Sequence, residues 1–138
     1  MSSSVPSAET IVRAELPNGI TILVYENFDS PSVVIGGYLW AGSISEPAEQ
    51  AGLSGLTAGM LMRGTKNRPF GQINDALESV GAQLGFHSNV HSVGFGGKAL
   101  AEDLDLLLEI LADSLQHPTF PSVELEKLRG QVLTAIQR

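Results

Sequence analysis

The chain has three histidines, and these are its only candidate soft metal ligands because it contains no cysteine. His87 and His91 are four residues apart in a stretch typical of a strand followed by a turn. Four residues along a strand span about 13 Å, so the two imidazoles share a metal only if the turn folds them together. We therefore interpret both as polar edge residues. His117 precedes Pro118 at a helix end, where a histidine can interact with free backbone carbonyls.

The carboxylates and hydroxyls of the sequence form no catalytic or metal-binding cluster. Glu102, Asp103 and Asp105 lie at a predicted helix start. Negative charge there is favoured by the helix dipole, so we interpret them as a solvated helix start and not as a cation site. Glu46 and Glu49 flank a loop without the geometry of a carboxylate pair. Ser43, Ser54 and Ser92 have no histidine and acid partner, so none of the three is interpreted as a catalytic nucleophile.

Size and charge limit the function further. The chain has 138 residues, enough for one modest domain, and its net charge of −7 disfavours a nucleic-acid partner. No apolar run reaches membrane-spanning length, and the polar N-terminus is unlike a secretory signal, which predicts a cytoplasmic location without membrane insertion. Residues 1–10 are predicted to form a disordered tail and residues 11–138 a domain.

The elements that must position any site follow in a simple order. Residues 12–16 and 20–25 are β-rich runs around Asn18-Gly19, a pair that supplies the positive φ angles of a tight hairpin. The second run is nearly all apolar, which predicts burial on both faces. A third strand covers residues 32–40, and two more follow at residues 82–86 and 90–100. Together with four helices, they predict an α+β fold, an antiparallel sheet with helices packed on one face.

The helices are predicted from apolar periodicity. The first covers residues 50–62 and contains three glycines, each costing about 1 kcal/mol relative to alanine. The second begins near Phe70 and ends at Gly81. The third covers residues 102–116. Its predicted apolar stripe consists of Leu104, Leu107, Leu108, Leu111 and Leu115.

The last helix is predicted to begin at Ser122. Its buried face is predicted to contain Leu125, Leu128, Val132 and Ile136. It runs to Arg138 without a stop signal, so we expect a chain cut inside a longer fold, with exposed apolar surface and self-association in isolation.

Three motifs stand in order along the chain: L-P-N-G at residues 16–19, A-G-S-x-x-E-P at residues 41–47 and R-G-T at residues 63–65. Through them the chain from Leu16 onwards resembles the N-terminal domain of the insulinase and pitrilysin metallopeptidases. The processing-peptidase-like branch is the most similar. The resemblance implies a full chain of two related α+β halves, of which this chain is a truncated half.

Active members of that family carry H-x-x-E-H on the first helix, in which two histidines bind zinc and the glutamate acts as base. A glutamate in a later helix is the third ligand. The corresponding positions here are Gly55 and Gly59 for the histidines, Ala58 for the base, and Thr134 or Ala135 for the third ligand. The resemblance therefore implies a degenerate site with no catalytic residue and no metal in this chain.

Two further positions follow from the same resemblance. An asparagine near the substrate in active members corresponds to Gly85. Gly55 and Gly59 have two interpretations: they allow close packing where imidazoles stand in active members, or they are unselected drift.

The resemblance implies a non-catalytic subunit that encloses a peptide-binding chamber with an H-x-x-E-H-bearing partner. Zinc is expected only in that partner, and an extended peptide is the expected substrate. The candidate edge-strand residues for pairing with the peptide are Val33, Val34, Ile35 and Gly36. One alternative is a structural core subunit of a respiratory cytochrome complex. A second is that similarity to relatives marks the chain as a zinc-dependent peptidase.

Overall fold

Residues 5–137 are described by the structure, a computed structural model, and they divide into two units at Pro31. The first four residues of the predicted disordered tail lie outside the described part. Residues 7–10 form a turn in which the Thr10 amide donates to the Ser7 carbonyl at 3.1 Å. None of the helices within residues 5–137 is long and apolar enough to cross a membrane.

The first unit contains the predicted hairpin. Strands β1 (Ile11–Glu15) and β2 (Thr21–Tyr25) pair antiparallel. The turn is closed by the Leu16 amide, which donates to the Ile20 carbonyl at 2.8 Å. The predicted burial of the second run is wrong for this chain, because Leu23 is 64% exposed and its neighbours Ile22 and Val24 are also exposed. The two strands form a sheet of their own, and its apolar side chains remain at the surface.

The second unit contains a three-stranded antiparallel sheet and four helices, which confirms the predicted α+β class. The strands are β3 (Ser32–Leu39), β4 (Gln83–Ser88) and β5 (Val93–Leu100), in the order β3-β5-β4. The helices are α1 (Leu53–Met60), α2 (Phe70–Ser79), α3 (Leu104–Gln116) and α4 (Ser122–Ile136).

The core lies between one face of this sheet and the helices. Its buried residues are Ile73, Leu77, Ala82, Ala99, Leu107 and Ile110. Ile35 of β3 and Leu84 of β4 pack against the cluster from the sheet. Because alternate residues of a strand point to opposite faces, the positions next to Ile35 and Leu84 face away from the helices.

Two predicted apolar stripes are rotated or shortened in the structure. On α3, Leu108 is 43% exposed, whereas Ile110, absent from the predicted stripe, is 1% exposed. The buried face also includes the polar Asp113 and Ser114, which a search for leucine periodicity overlooks. On α4, Leu125 and Leu128 are half-buried as predicted. The predicted burial is wrong for Val132 and Ile136, which are 40% and 76% exposed. The rest of the second half of α4, residues 129–136, is exposed as well.

Candidate functional site

Helix α1 carries the three degenerate positions, and Glu46 anchors its start. The helix begins at Leu53 after Gly52, so it is shorter than the predicted 50–62. The Glu46 carboxylate accepts hydrogen bonds from the Gly52 amide at 2.8 Å and the Ser54 amide at 2.5 Å. Hydrogen bonding from Ser54 is the main cause that lowers the pKa of Glu46. Sequence analysis left Glu46 unassigned, although a carboxylate shortly before a helix start is the available signal.

A second contact ties α1 to the sheet. The Ser54 and Ser88 hydroxyl oxygens are 2.7 Å apart, joining the first turn of α1 to the last residue of β4. Both serines are half-buried. Helix α1 therefore lies beside the end of β4, the strand that contains Gly85. In active members of the family that the sequence resembles, the corresponding helix carries the zinc ligands.

The three degenerate positions of α1 have different surroundings. Ala58 is 3% exposed and belongs to the core. A Cβ atom on Gly59 would lie 2.8 Å from Cδ2 of Leu128, a residue of α4, so the two helices are in close contact there. A Cβ atom on Gly55 would meet nothing within 4 Å. The close-packing interpretation therefore fits Gly59, whereas the structure gives Gly55 no packing role.

The candidate third-ligand positions lie on the exposed second half of α4. The Thr134 hydroxyl donates to the Gly130 carbonyl of its own helix at 2.9 Å. Thr134 and Ala135 line a shallow groove of about 560 Å³ along α4.

Zinc binding in a protein site requires Cys, His, Asp or Glu ligands, and the positions that correspond to the ligands offer hydrogen, methyl and hydroxyl groups instead. No group of three or more metal-binding side chains occurs within residues 5–137, His87 and His91 included. The Leu128 side chain also occupies the space beside Gly59. The side chains at these positions therefore do not fit a zinc ion.

The R-G-T motif forms a corner that connects α1 to the later helices. The Arg63 guanidinium lies 3.4 Å from the Glu124 carboxylate and donates to the Gln131 side chain at 3.0 Å, both on α4. It also lies 5.4 Å from the centre of the Phe70 ring. Gly64 has φ +140°, a backbone conformation that favours glycine, and a Cβ atom there would lie 3.1 Å from Pro121.

Thr65, the last residue of the corner, binds a buried carboxylate on α3. Its hydroxyl donates to Asp113 at 2.5 Å, and the Asn67 amide donates to the same carboxylate at 2.7 Å. His117 Nδ1 lies 3.3 Å from Asp113, so the predicted role of His117 with free carbonyls is wrong: its partner is a carboxylate. Burial acts to raise the pKa of Asp113, but the hydrogen bonds from Thr65, Asn67 and His117 outweigh it and lower that pKa.

The predicted peptide-binding strand lies at one edge of the sheet. Val33, Val34, Ile35 and Gly36 belong to β3, which pairs with β5. The other edge is β4, and α1 lies beside it through the contact of Ser54 with Ser88. A Cβ atom on Gly85 of β4 would meet nothing within 4 Å, so this position is open.

A model of the insulinase family, peptidase family M16, matches residues 21–138. The chain belongs to the insulinase family. Within that family it is 31% identical over 134 residues to cytochrome b-c1 complex subunit 1 of Bos taurus. It is 30% identical over 122 residues to the mitochondrial-processing peptidase subunit beta of Rattus norvegicus. It is 29% identical over 127 residues to the uncharacterized zinc protease YmxG of Bacillus subtilis.

Those alignments cover 97%, 88% and 92% of this insulinase-family chain, but only 27%, 25% and 31% of the relatives. The fold also matches solved structures. The peptidase inactive domain from Pseudomonas fluorescens superposes with a TM-score of 0.84 at 22% identity, covering 92% of this chain and 31% of that one. The first half of the periplasmic protease PqqL from Escherichia coli gives 0.85 at 18% identity, covering 98% and 31%.

Proposed function

We propose that this chain is part of a non-catalytic insulinase-family subunit that helps to enclose a peptide-binding chamber with a catalytic partner. One observation carries the proposal: on α1, the positions that correspond to the two zinc-binding histidines hold Gly55 and Gly59, and the position of the base holds Ala58. Leu128 occupies the space beside Gly59. The partner supplies H-x-x-E-H and zinc, and this chain supplies part of the chamber wall.

The proposal is tested by purifying the chain alone and together with an H-x-x-E-H-bearing family member encoded in the same genome. Alone, it is expected to contain no stoichiometric zinc by elemental analysis and to cleave no peptide. The pair is expected to co-elute in size-exclusion chromatography and to cleave peptides in a chelator-sensitive manner. A partner variant with glutamine in place of the motif glutamate is the matched control. Chelator-sensitive cleavage by the chain alone, or stoichiometric zinc in it, overturns the proposal in favour of a zinc peptidase.

The peptide in this proposal pairs with a sheet edge. Two edges are available, β3 with its residues Val33 to Gly36 and β4 beside α1. Proline removes a backbone donor from a strand, so Gly36→Pro and Gly85→Pro test the two edges separately in the assembled pair. Loss of peptide affinity is expected for the edge that binds. If both variants bind peptide like the unaltered pair, edge pairing is excluded.

A second candidate function is a scaffold subunit in a respiratory complex, favoured by the 31% identity to the cytochrome b-c1 subunit. Affinity purification from the source cells distinguishes the two. Membrane cytochromes are expected with the scaffold, and a family partner of similar size with the chamber subunit. A cytoplasmic location and self-association of the isolated chain remain predictions. The exposed Leu23, Leu133 and Ile136 support the second of these.

A further inference from the structure

The L-P-N-G motif forms the turn of the β1–β2 hairpin, and hydrogen bonds define its conformation. The Gly19 amide donates to the Leu16 carbonyl at 2.9 Å, which closes a β-turn with Pro17 and Asn18 at its centre. Phe120 is the one non-glycine residue with a positive φ in the described part of the chain. The φ of Asn18 is therefore negative, and the turn is type I. Gly19 follows with φ +88°, as in the glycine bulge of three-residue hairpin loops.

An asparagine followed by a glycine is prone to an internal chemical change. The nitrogen of the glycine loses its proton to solvent and attacks Cγ of the asparagine, the Cγ–Nδ2 bond breaks, and the side-chain nitrogen leaves as ammonia. The resulting succinimide ring takes up water at one of its two carbonyls, which gives aspartate or iso-aspartate. Glycine favours the attack because no Cβ atom hinders its nitrogen. Asn18 and Gly19 form such a pair.

The folded turn opposes this reaction at both reacting groups. The Gly19 nitrogen is engaged with Leu16, and the Ile20 amide donates to Asn18 Oδ1 at 3.2 Å, which fixes the side chain. The third residue of a type I turn, here Asn18, has ψ near 0°. The ring closes only when Cβ of Asn18 eclipses the Gly19 nitrogen, and this needs a rotation of about 120° about the Cα–C bond. Attack therefore requires the turn to open.

The hairpin is a part of the fold in which such opening is accessible and its product is damaging. Strands β1 and β2 form a two-stranded sheet, and a sheet of this size is marginally stable by itself. Iso-aspartate continues the chain through its side chain, so it adds one atom to the backbone of the turn. The pairing of Glu15 with Thr21 and of Ala14 with Ile22 depends on the length of that turn. The product therefore cannot restore the same register.

We propose that Asn18 is an iso-aspartate-forming modification site that the folded hairpin protects and that opening of the hairpin releases for reaction. Water is the one co-reactant, and no partner or cofactor takes part. The proposal does not depend on the catalytic state of any partner or on the peptide-binding chamber.

The test incubates the intact chain at mildly alkaline pH, in buffer and in urea. Iso-aspartate is quantified by enzymatic methylation and located by peptide mapping. Asn18 is expected to react at least about tenfold faster in urea than in the folded chain. Asn27 is the matched internal control, because its Oδ1 accepts from the Asp29 amide at 3.1 Å in the same arrangement, but Phe28 follows it. Asn27 is expected to react slowly in both conditions.

Two variants separate the opening step from the effect of the product. Val24→Gly weakens β2 without altering the reacting pair, because glycine is unfavourable in a strand, and it is expected to raise the rate in buffer towards the rate in urea. Asn18→Asp, measured when freshly purified, has the charge of the product without the added backbone atom. It is expected to keep the hydrogen-exchange protection of the β1 amides, whereas the iso-aspartate chain is expected to lose it.

Four results overturn the proposal. The first is an equal or faster reaction of Asn18 in the folded chain than in urea. The second is a reaction in urea no faster than that of Asn27. The third is a rate in buffer that Val24→Gly leaves unchanged. The fourth is an iso-aspartate chain whose β1 amides are protected like those of Asn18→Asp.

Discussion

Leu128 of α4 occupies the space that a side chain on Gly59 of α1 needs, with Cδ2 2.8 Å from the Cβ position. The second zinc-binding histidine of the family motif corresponds to this position. Glycine offers no side chain to a metal there, and the space beside it is filled by a leucine of α4. Close packing of α1 against α4 therefore occurs at the position that the resemblance assigns to the second histidine.

The first prediction contrasts the two glycines of α1. Gly55→Ala is expected to stabilise the fold by up to about 1 kcal/mol, because its surroundings are open and alanine favours helix. Gly59→His is expected to destabilise it by about 1–3 kcal/mol, because Leu128 must move. Urea denaturation measures both. Adding Leu128→Ala to Gly59→His should recover part of the loss; equal effects of the two glycine substitutions would contradict the packing argument.

The second prediction concerns reconstruction of the metal site. A variant with Gly55→His, Ala58→Glu and Gly59→His, plus glutamate at position 134 or 135, is expected to bind zinc weakly while Leu128 remains. Adding Leu128→Ala is expected to raise zinc affinity at least about tenfold, because the second imidazole can then adopt its rotamer. Isothermal titration with zinc measures the difference. If removal of the leucine leaves the affinity unchanged, Leu128 is not the obstacle.

The third prediction concerns the buried carboxylate beneath the R-G-T corner. Asp113→Asn is expected to destabilise the fold by about 1–3 kcal/mol, because Thr65, Asn67 and His117 lose a charged acceptor. Asp105→Asn, at an exposed position of the same helix, is the control and should change the free energy of unfolding by less than about 0.5 kcal/mol.

Asp113 also predicts a pH dependence. Its pKa is lowered in the folded state, so its contribution is present above the unfolded pKa of about 3.9 and is lost as pH falls through the folded value. Unfolding measured from neutral pH to about pH 3 should therefore show a steeper acid loss in the unaltered chain than in Asp113→Asn. Parallel curves would show that the carboxylate is not linked to stability.

The fourth prediction concerns the start of α1. Glu46→Gln is expected to speed hydrogen exchange at the Gly52 and Ser54 amides, because a neutral amide is a weaker acceptor than the carboxylate. Glu49→Gln, in the same loop, is the control and should leave both amides unchanged. Equal protection in the two variants would show that Glu46 does not anchor the helix.

The class of fold could be predicted from sequence because the strands and helices depend on local patterns, whereas the degenerate zinc site stays a prediction. The Asn18-Gly19 turn is short, and the structure has the hairpin where this pair predicts it. A missing imidazole is likewise visible at a single position.

Burial was harder to predict because it depends on which residues meet in space. Leucine periodicity indicated Leu108 on the buried face of α3, but the inward face is centred near Ile110 and includes Asp113, which receives Thr65 from a distant segment. The role of Glu46 was missed for a similar reason, since its partners lie up to eight residues away on a helix whose start was placed too early.

The corner at residues 63–65 has a consequence for how such sequences are recognised. Its arginine contacts α4, its glycine lies beside Pro121, and its threonine binds Asp113 of α3. A signature built on this tripeptide therefore selects chains by architecture alone. We expect such a signature to be independent of the residues at positions 55, 58 and 59, so that only those positions of α1 indicate whether a chain carries H-x-x-E-H.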